Sequence, residues 1–382
     1  MTEFDYVLVG GGLQNGLIAG ALRMRQPESR IALVERAGAL GGNHTWCFHE
    51  ADVAPDSRDW LEPLVVHAWP GYRVVFPNLQ RTIDGRYSAV TSERLDKVAS
   101  AAVRGGPGSK LFLNTEVSEV GTHVVTLSSG GRLEGRVVVD SRGPPPPSGR
   151  ATAGYQKFLG LELELARPHH LDRPVLMDAT VDQSEGYRFL YILPLGPSRL
   201  LVEDTYFHET HSLDRVQLRD EVLGCVASRG WEATEVVREE VGVLPMPWTG
   251  SPSVPASGPL LGGYRGGWFH PGTGYSFPVA ARLAEFVAGR PPADLFGADL
   301  RRFAHEHIRQ VKFAHLLNRF LFRWCPPAAR VPIFERFYRL PETTIGHFYA
   351  LRLTWPDRIR LMTGRPPRGL SLRHRLRYGT ER

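Results

Sequence analysis

The stretch from Tyr6 to Glu35 limits the fold more than any other. Tyr6-Val7-Leu8-Val9 is a short apolar run that leads directly into Gly10-Gly11-Gly12. Leu13, Leu17, Ile18, Ala21 and Leu22 then recur at helical spacing, and a second apolar run, Ile31-Ala32-Leu33-Val34, ends on Glu35. Strand, glycine turn, helix, strand and acid in this order read as a dinucleotide-binding βαβ unit. Gly10 permits the tight turn, and Gly12 lets the backbone approach a pyrophosphate. The helix N-terminus offers free N–H groups and a positive dipole end to the phosphates. Glu35 stands where a carboxylate accepts hydrogen bonds from an adenosine ribose. One position departs from G-x-G-x-x-G: Asn15 stands where the third glycine is usual, with Gly16 next.

A chain of 382 residues has room for two or three cores of about 150 residues each. With 42% hydrophobic and 23% charged residues it is globular in composition. No apolar run approaches the roughly 18 residues of a transmembrane helix. The N-terminus opens on Glu3 and Asp5 without a basic segment, which reads as no signal peptide. Cys47, Cys225 and Cys325 form neither a CxxC motif nor a disulfide framework, which suits a reducing cytoplasm. Zinc-ligand spacing, a nucleophile elbow and a P-loop are absent from the sequence.

Charge is unevenly spread. Residues 301–382 carry 18 Lys and Arg against 5 Asp and Glu, a net of +13 in a chain whose total is +6. An excess gathered at one end points to an anionic partner surface. No nucleic-acid recognition module accompanies it, so none is expected to bind.

The expected architecture is α/β: a dinucleotide-binding Rossmann-like domain, an inserted antiparallel-sheet substrate domain and a C-terminal helical region. The first is assigned to 1–50, 88–150 and 255–292, the second to 51–87 and 151–254, and a basic helical region to 293–382. Within these spans, Val65 to Pro77 alternates as a strand, and Thr91 to Val103 reads as a helix with Ser92 as its cap. Phe158 to Leu165, Tyr187 to Leu193, Arg199 to Asp204 and Val236 to Val243 read as an antiparallel sheet, with a helix from Ser212 to Ser228 lying on it. Pro144 to Pro147 mark a crossover between domains.

Four separated pieces resemble the flavin site of two-domain hydroxylases and reductases. They are the N-terminal unit, the Val117 segment, Asp140-Ser141-Arg142-Gly143, and the late turn Gly263 to Gly274. In those proteins the late turn carries an acid where Tyr264 stands here. By this resemblance the FAD-contacting residues are Gly10, Gly11, Gly12, Asn15, Glu35, Arg36, Gly42, Asn43, Val117, Asp140, Gly266, Thr273 and Gly274.

A narrower resemblance accounts for the departures. Residues 10–19 (Gly-Gly-Gly-Leu-Gln-Asn-Gly-Leu-Ile-Ala), 41–46 (Gly-Gly-Asn-His-Thr-Trp), 201–206 (Leu-Val-Glu-Asp-Thr-Tyr) and 269–276 (Phe-His-Pro-Gly-Thr-Gly-Tyr-Ser) together resemble bacterial lycopene β-cyclases. That resemblance implies conversion of lycopene and other linear-ended carotenes to β-rings without net redox change, beside FAD in its reduced form. NAD(P)H would be the reductant. An acid protonates the terminal alkene, the neighbouring alkene attacks the carbocation, and a ring proton is lost.

Glu203 matches the family's essential glutamate. The residues alone also place Glu203 and Asp204 in a strongly apolar strand, facing opposite sides by alternation, where burial would raise a carboxyl pKa into the range of a general acid. A structural ion pair is the competing role for Glu203. His270 is the second candidate, either for proton removal or for orienting the flavin, and Asp204 or His270 stands next in line to Glu203 as the acid. Trp46, Phe48, Tyr187, Phe189, Tyr191, Tyr206, Trp268, Phe269 and Tyr275 are candidates to line a polyene tunnel or simply to pack a core. The basic, aromatic C-terminal stretch suits peripheral attachment to an anionic membrane at the inner face of the cell membrane. A redox flavoenzyme of the same fold and a carotenoid or lipid carrier are the alternative functions.

Overall fold

The structure is a computed structural model that describes residues 3–143, 152–184, 186–250, 252 and 255–363. The proline crossover expected at Pro144 to Pro147 lies outside the described residues.

Among the described residues two sheets form the frame. In the smaller one, strands Lys110–Phe112, Ile31–Val34, Phe4–Val9 and Arg132–Asp140 run parallel, and the short Leu260–Leu261 strand adds in parallel to Arg132–Asp140. Helix Leu13–Arg25 crosses between the first two strands of the βαβ unit and packs against helices Ser92–Arg104 and Phe277–Ala288. Gly16 makes one of these approaches possible: a Cβ there would lie 2.9 Å from Leu95 Cδ1. The glycine displaced from position 15 to 16 therefore serves helix–helix packing.

The larger sheet runs in the order Ala233–Pro247, Ala153–Leu165, Arg199–His208, Tyr187–Pro194, Val175–Asp178, His67–Phe76, Leu79–Thr91, Thr45–His49. It is antiparallel except where Val175–Asp178 runs parallel to His67–Phe76. Residues 45–49 and 88–91, grouped with the dinucleotide unit on sequence, hydrogen-bond into this sheet. Their pairing joins segments distant in the chain, which local periodicity does not report.

Both faces of the larger sheet are covered. Helix Arg215–Ser228, capped by Asp214 and starting later than the sequence suggests, packs on one face through Val222 and Val226. C-terminal elements cover the other, bringing Phe322, Tyr338 and Ile345 against Phe76, Tyr187 and Phe207. A strand buried on both faces reads as a continuous apolar run, and Leu200 to Phe207 are all buried.

The helix Ser92–Arg104 is capped by Thr91, whose hydroxyl accepts from Arg94 N, rather than by Ser92. The Ser92 hydroxyl is buried and accepts from His44 N at 2.6 Å, with Gly41 O at 3.1 Å within its donating reach. It thereby pins the Gly41-Gly42-Asn43-His44 loop beside the cleft between the sheets.

Candidate functional site

Two glycine-rich turns meet at the C-terminal edge of the parallel strands. Gly10 has φ +92°, and a Cβ there would press on the Arg142 backbone at 3.0 Å, so the position needs glycine. Gly11 N donates to Glu35 Oε2 at 2.6 Å, and Ala37 N donates to Oε1 at 2.9 Å. Gly12 begins the helix, and a Cβ there would meet no protein atom within 4 Å. Open space in front of a helix N-terminus, flanked by Arg142 and Arg265 on the groove wall, fits a diphosphate. Of the candidate cofactor contacts, Gly10, Gly11, Gly12, Glu35, Arg36, Gly42, Val117, Thr273 and Gly274 line the groove.

Four other expected cofactor contacts are placed differently, because their polar groups or their space are used within the protein. Asn15 is fully buried: its Nδ2 donates to Val9 O and Gly10 O at 3.0 and 2.8 Å, and its Oδ1 accepts from Ser141 Oγ at 3.0 Å. It braces the glycine turn from behind. Asp140 is anchored by Arg142 at 2.9 Å and Arg265 at 3.0 Å, and these two arginines, not the carboxylate, face the groove. Asn43 ties its loop to the Ala233–Pro247 strand through Glu239 O and Arg238. Gly266 sits in a turn so tight that a Cβ would lie 2.0 Å from Leu261 O. Arg265 is the groove residue that the sequence reading missed.

Tyr264, the residue in place of the usual acid, closes the late turn. Its hydroxyl donates to Gly274 O, and its ring stacks on Phe269 with centroids 4.2 Å apart. The turn is thus held by a tyrosine side chain at the position where the flavoprotein resemblance would put a carboxylate.

The groove continues into a cavity, and the two together enclose about 2050 Å³. One wall is the face of the larger sheet that carries Phe189, Tyr191, Glu203 and Phe207; C-terminal elements form the roof. The roof includes Phe320, Leu321 and Trp324 from a five-residue π-helical stretch, Phe320–Trp324, that ends the long helix Ala298–Arg319. Local widening of a helix is common where side chains must be re-aimed into a site. Of the nine aromatic candidates, Trp46, Phe189, Tyr191, Trp268 and Tyr275 line the cavity. Phe48 stacks on Phe277 in the core, Tyr187 on Phe334, and Phe269 on Tyr264. Tyr206 lies against Arg188 on the opposite face of the sheet.

Glu203 and Asp204 face opposite ways, as alternation requires. Glu203 lines the cavity with 9% of its surface exposed. Burial, and next the nearby Glu240 carboxyl, raise its pKa well above the usual range, against a smaller lowering by Arg238. Asp204 is fully buried toward helix Arg215–Ser228, paired with Arg188 at 2.9 and 2.6 Å; Arg188 also meets Glu221 at 2.7 Å. Burial raises the Asp204 pKa against the lowering effect of Arg188. Its carboxylate is part of an ion-pair network and does not line the cavity.

His270 is also placed differently from the sequence expectation. It is fully buried; its Nδ1 accepts from Gly272 N at 3.0 Å, which leaves Nε2–H to donate to Phe348 O at 2.9 Å. Both ring nitrogens are thus used to hold the late turn against the roof, and burial pushes the pKa down to about 4. Asp52 was not anticipated. It lines the cavity, is 1% exposed, and accepts from Tyr275 OH at 2.9 Å through Oδ2. Its Oδ1 is buried without a partner among the described residues, and burial pushes its pKa up to about 6. Nothing in the short Glu50–Asp52 turn marks it in sequence. Among the described residues no cluster of His, Cys, Asp and Glu could hold a metal ion.

The fold is that of FAD-dependent monooxygenases and reductases. It is similar to a geranylgeranyl bacteriochlorophyll reductase-like protein from Thermoplasma acidophilum, with a TM-score of 0.62 and 12% identity, over 99% of this chain and 96% of that one. It is also similar to PqsL, described as a probable FAD-dependent monooxygenase from Pseudomonas aeruginosa, with a TM-score of 0.59 and 17% identity, over 83% and 96%. Sequence narrows the class: the chain belongs to the lycopene cyclase family, whose model, described as lycopene cyclase protein, matches residues 5–375. It is 44% identical to the lycopene beta-cyclase of Pseudescherichia vulneris, over 95% of this chain and 94% of that one. It is 41% identical to that of Pantoea ananas, over 96% and 95%.

Proposed function

We propose that this protein is a lycopene β-cyclase, converting the linear ends of lycopene to β-rings by way of γ-carotene. The chemistry is acid-initiated carbocation cyclisation with no net redox change. The observation that carries the reading is Glu203: a carboxyl whose pKa burial raises well above the usual range, on the wall of an apolar cavity continuous with a dinucleotide groove. Family membership and the names of the relatives support the substrate.

Glu203 holds a proton where a terminal alkene can take it, the neighbouring alkene then closes the ring, and loss of a ring proton balances the one delivered. The faces of Phe189 and Tyr191 shield the cation and exclude water. The Gly10 to Gly12 turn, the first turn of helix Leu13–Arg25, Glu35, Val117, Arg142, Arg265, Thr273 and Gly274 would hold FAD. Held there in its reduced anionic form, with NAD(P)H as reductant, it would supply a fixed negative charge that favours the cation in a site with little water. His270, with both nitrogens engaged, holds the turn. Expression in a lycopene-accumulating host, with chromatography and mass analysis of the pigments, tests the assignment. A cyclase gives β-carotene, an isomer; a product of altered mass means a redox enzyme, and unchanged lycopene means a carrier.

The protein acts at the cytoplasmic, inner face of the cell membrane, docked by helix Trp355–Met362. Trp355, Ile359 and Met362, spaced four and three residues apart, are exposed to 74%, 56% and 53%. Arg360, Leu361 and Met362 of the same helix also line the cavity. Arg358 and Arg360 stand on the same helix and Arg352 just before it; in sequence, residues 364–382 carry six Arg against one Glu. Apolar side chains among basic ones, on a helix that also lines a cavity for a hydrocarbon, suit an anionic bilayer. Among the described residues no helix is long and apolar enough to cross a membrane.

A further inference from the structure

The wall of the cavity carries a second carboxyl beside Glu203. In the larger sheet Gly160 pairs with Glu203 on one side and with Glu240 on the other. The three residues form one row across adjacent strands, and residues in one row share a face. Both glutamates line the cavity, and the residue between them has no side chain. A Cβ on Gly160 would lie 2.6 Å from Glu203 Cγ, so the Glu203 side chain occupies the space that any other residue would fill.

The two carboxyls differ in their partners. Glu240 accepts from Thr45 N at 3.1 Å and from Arg238 Nη1 at 3.1 Å, and His44 Nδ1 lies 3.6 Å away. The Glu203 carboxyl forms no hydrogen bond or ion pair among the described residues. Two carboxyls buried on one sheet face, with no side chain between them, cannot both ionise cheaply, and the one with donors keeps the charge. The other titratable groups near Glu203 are Cys47, Tyr87 and Tyr191; the two tyrosine hydroxyls are hydrogen-bonded at 3.0 Å. All three are pushed upward, first by burial, and stay neutral. Near Glu203, then, Glu240 is the fixed negative charge, and Arg238 is the cation that holds it.

We propose that Glu240 is a positioning residue for the acid: a charged neighbour across the Gly160 gap that keeps the proton on Glu203 and leaves it facing the cavity. It acts through Glu203, so the proposal rests on the reading of Glu203 as the proton donor. Nothing in the sequence singles out Glu240 from Glu239, and the pairing exists only because the Ala153–Leu165 strand lies between the two glutamate strands with a glycine in register.

The test is the pH profile of cyclisation by the full-length protein with reduced FAD. Activity needs protonated Glu203 and falls as pH rises through its pKa. Removing the neighbouring negative charge lowers that pKa, so in Glu240→Gln the alkaline limb should move to lower pH by about one unit or more, a loss of about tenfold in rate at fixed pH on that limb. On the acid plateau the rate should stay within a few fold of wild type, and Glu240→Asp should restore the limb. A Glu240→Gln profile parallel to wild type, lowered by the same factor at every pH, overturns the proposal. Gly160→Ala is the second variant, should Glu240→Gln not fold. It displaces Glu203 and should lower kcat about tenfold or more with KM and bound FAD little changed; a wild-type kcat overturns the role of the gap. Glu203→Gln separates the two readings. If it cyclises normally, the acid assignment itself falls. If it is inactive while the Glu240→Gln limb does not move, only the present inference falls.

Discussion

Glu203 and Asp204 are consecutive residues that lie on opposite faces of one sheet. Glu203 faces an aromatic cavity with no ion-pair partner among the described residues, and Asp204 is locked to Arg188 at 2.6 Å beneath a helix. The same strand presents a buried carboxyl to the cavity and an ion-paired one to the core. The two carboxylates should therefore fail differently when altered.

Glu203→Gln keeps shape but cannot deliver a strong-acid proton. Cyclisation should fall by about 10²–10⁴-fold, with FAD still bound and reducible. Asp204→Asn should leave a measurable cyclisation rate but lower the melting temperature, because Arg188 loses a charged partner at a buried site. Assays in deuterated water should place deuterium on the ring carbon next to the gem-dimethyl centre. Wild-type turnover by Glu203→Gln would exclude it as the acid.

Gly12 provides a clean test of the nucleotide groove. A Cβ there meets no protein atom within 4 Å and the backbone φ of −76° is open to any residue, so Gly12→Val should fold. It should nevertheless lose FAD, because the new side chain fills the space that the diphosphate needs. Absorbance of the purified protein and its thermal melt decide the matter. A folded Gly12→Val protein carrying stoichiometric FAD would overturn the groove assignment.

Asp52 should give the folded protein a pH-dependent penalty. Burial raises its pKa from 3.8 to about 6. Below 3.8 both folded and unfolded states hold the proton. As pH rises from there to about 6, the unfolded state releases its proton first, so stability falls by up to about 3 kcal/mol and is level above. Asp52→Asn removes this titration, so its stability relative to wild type should be better at pH 8 than at pH 4 in chemical denaturation. An equal difference at both pH values would contradict the raised pKa.

Membrane docking should depend on the exposed face of helix Trp355–Met362. Trp355→Ser with Ile359→Ser should weaken binding to anionic vesicles at least several-fold in a flotation assay. Wild-type binding should itself decline as salt rises, since screening shortens the reach of the surrounding arginines. Equal affinity for neutral and anionic vesicles, or full binding by the double variant, would count against this face.

Much of the site was legible because its signals are local. Strand, glycine turn, helix and acid lie within one short segment, and so does the late turn around Thr273 and Gly274. Alternation alone separated Glu203 from Asp204. The candidates that lie off the cavity share one cause. Asn15, Asn43, Asp140 and His270 are residue types that bind cofactors or move protons, but here backbone groups and arginines satisfy their polar atoms. Whether a polar atom is free depends on neighbours through space, which no residue type or spacing reports.

By itself the sequence determined the βαβ unit, the apolar strand with its acid, and the basic C-terminal helices, since each follows from periodicity, turn chemistry or charge along a continuous stretch. Only the tertiary structure decided which groups meet: Glu240 beside Glu203 across Gly160, Asp52 against Tyr275, and Phe320 to Trp324 over the cavity. The reason is physical. A carboxyl becomes an acid through burial and the charges around it, and both are set by strands and helices far apart in the chain.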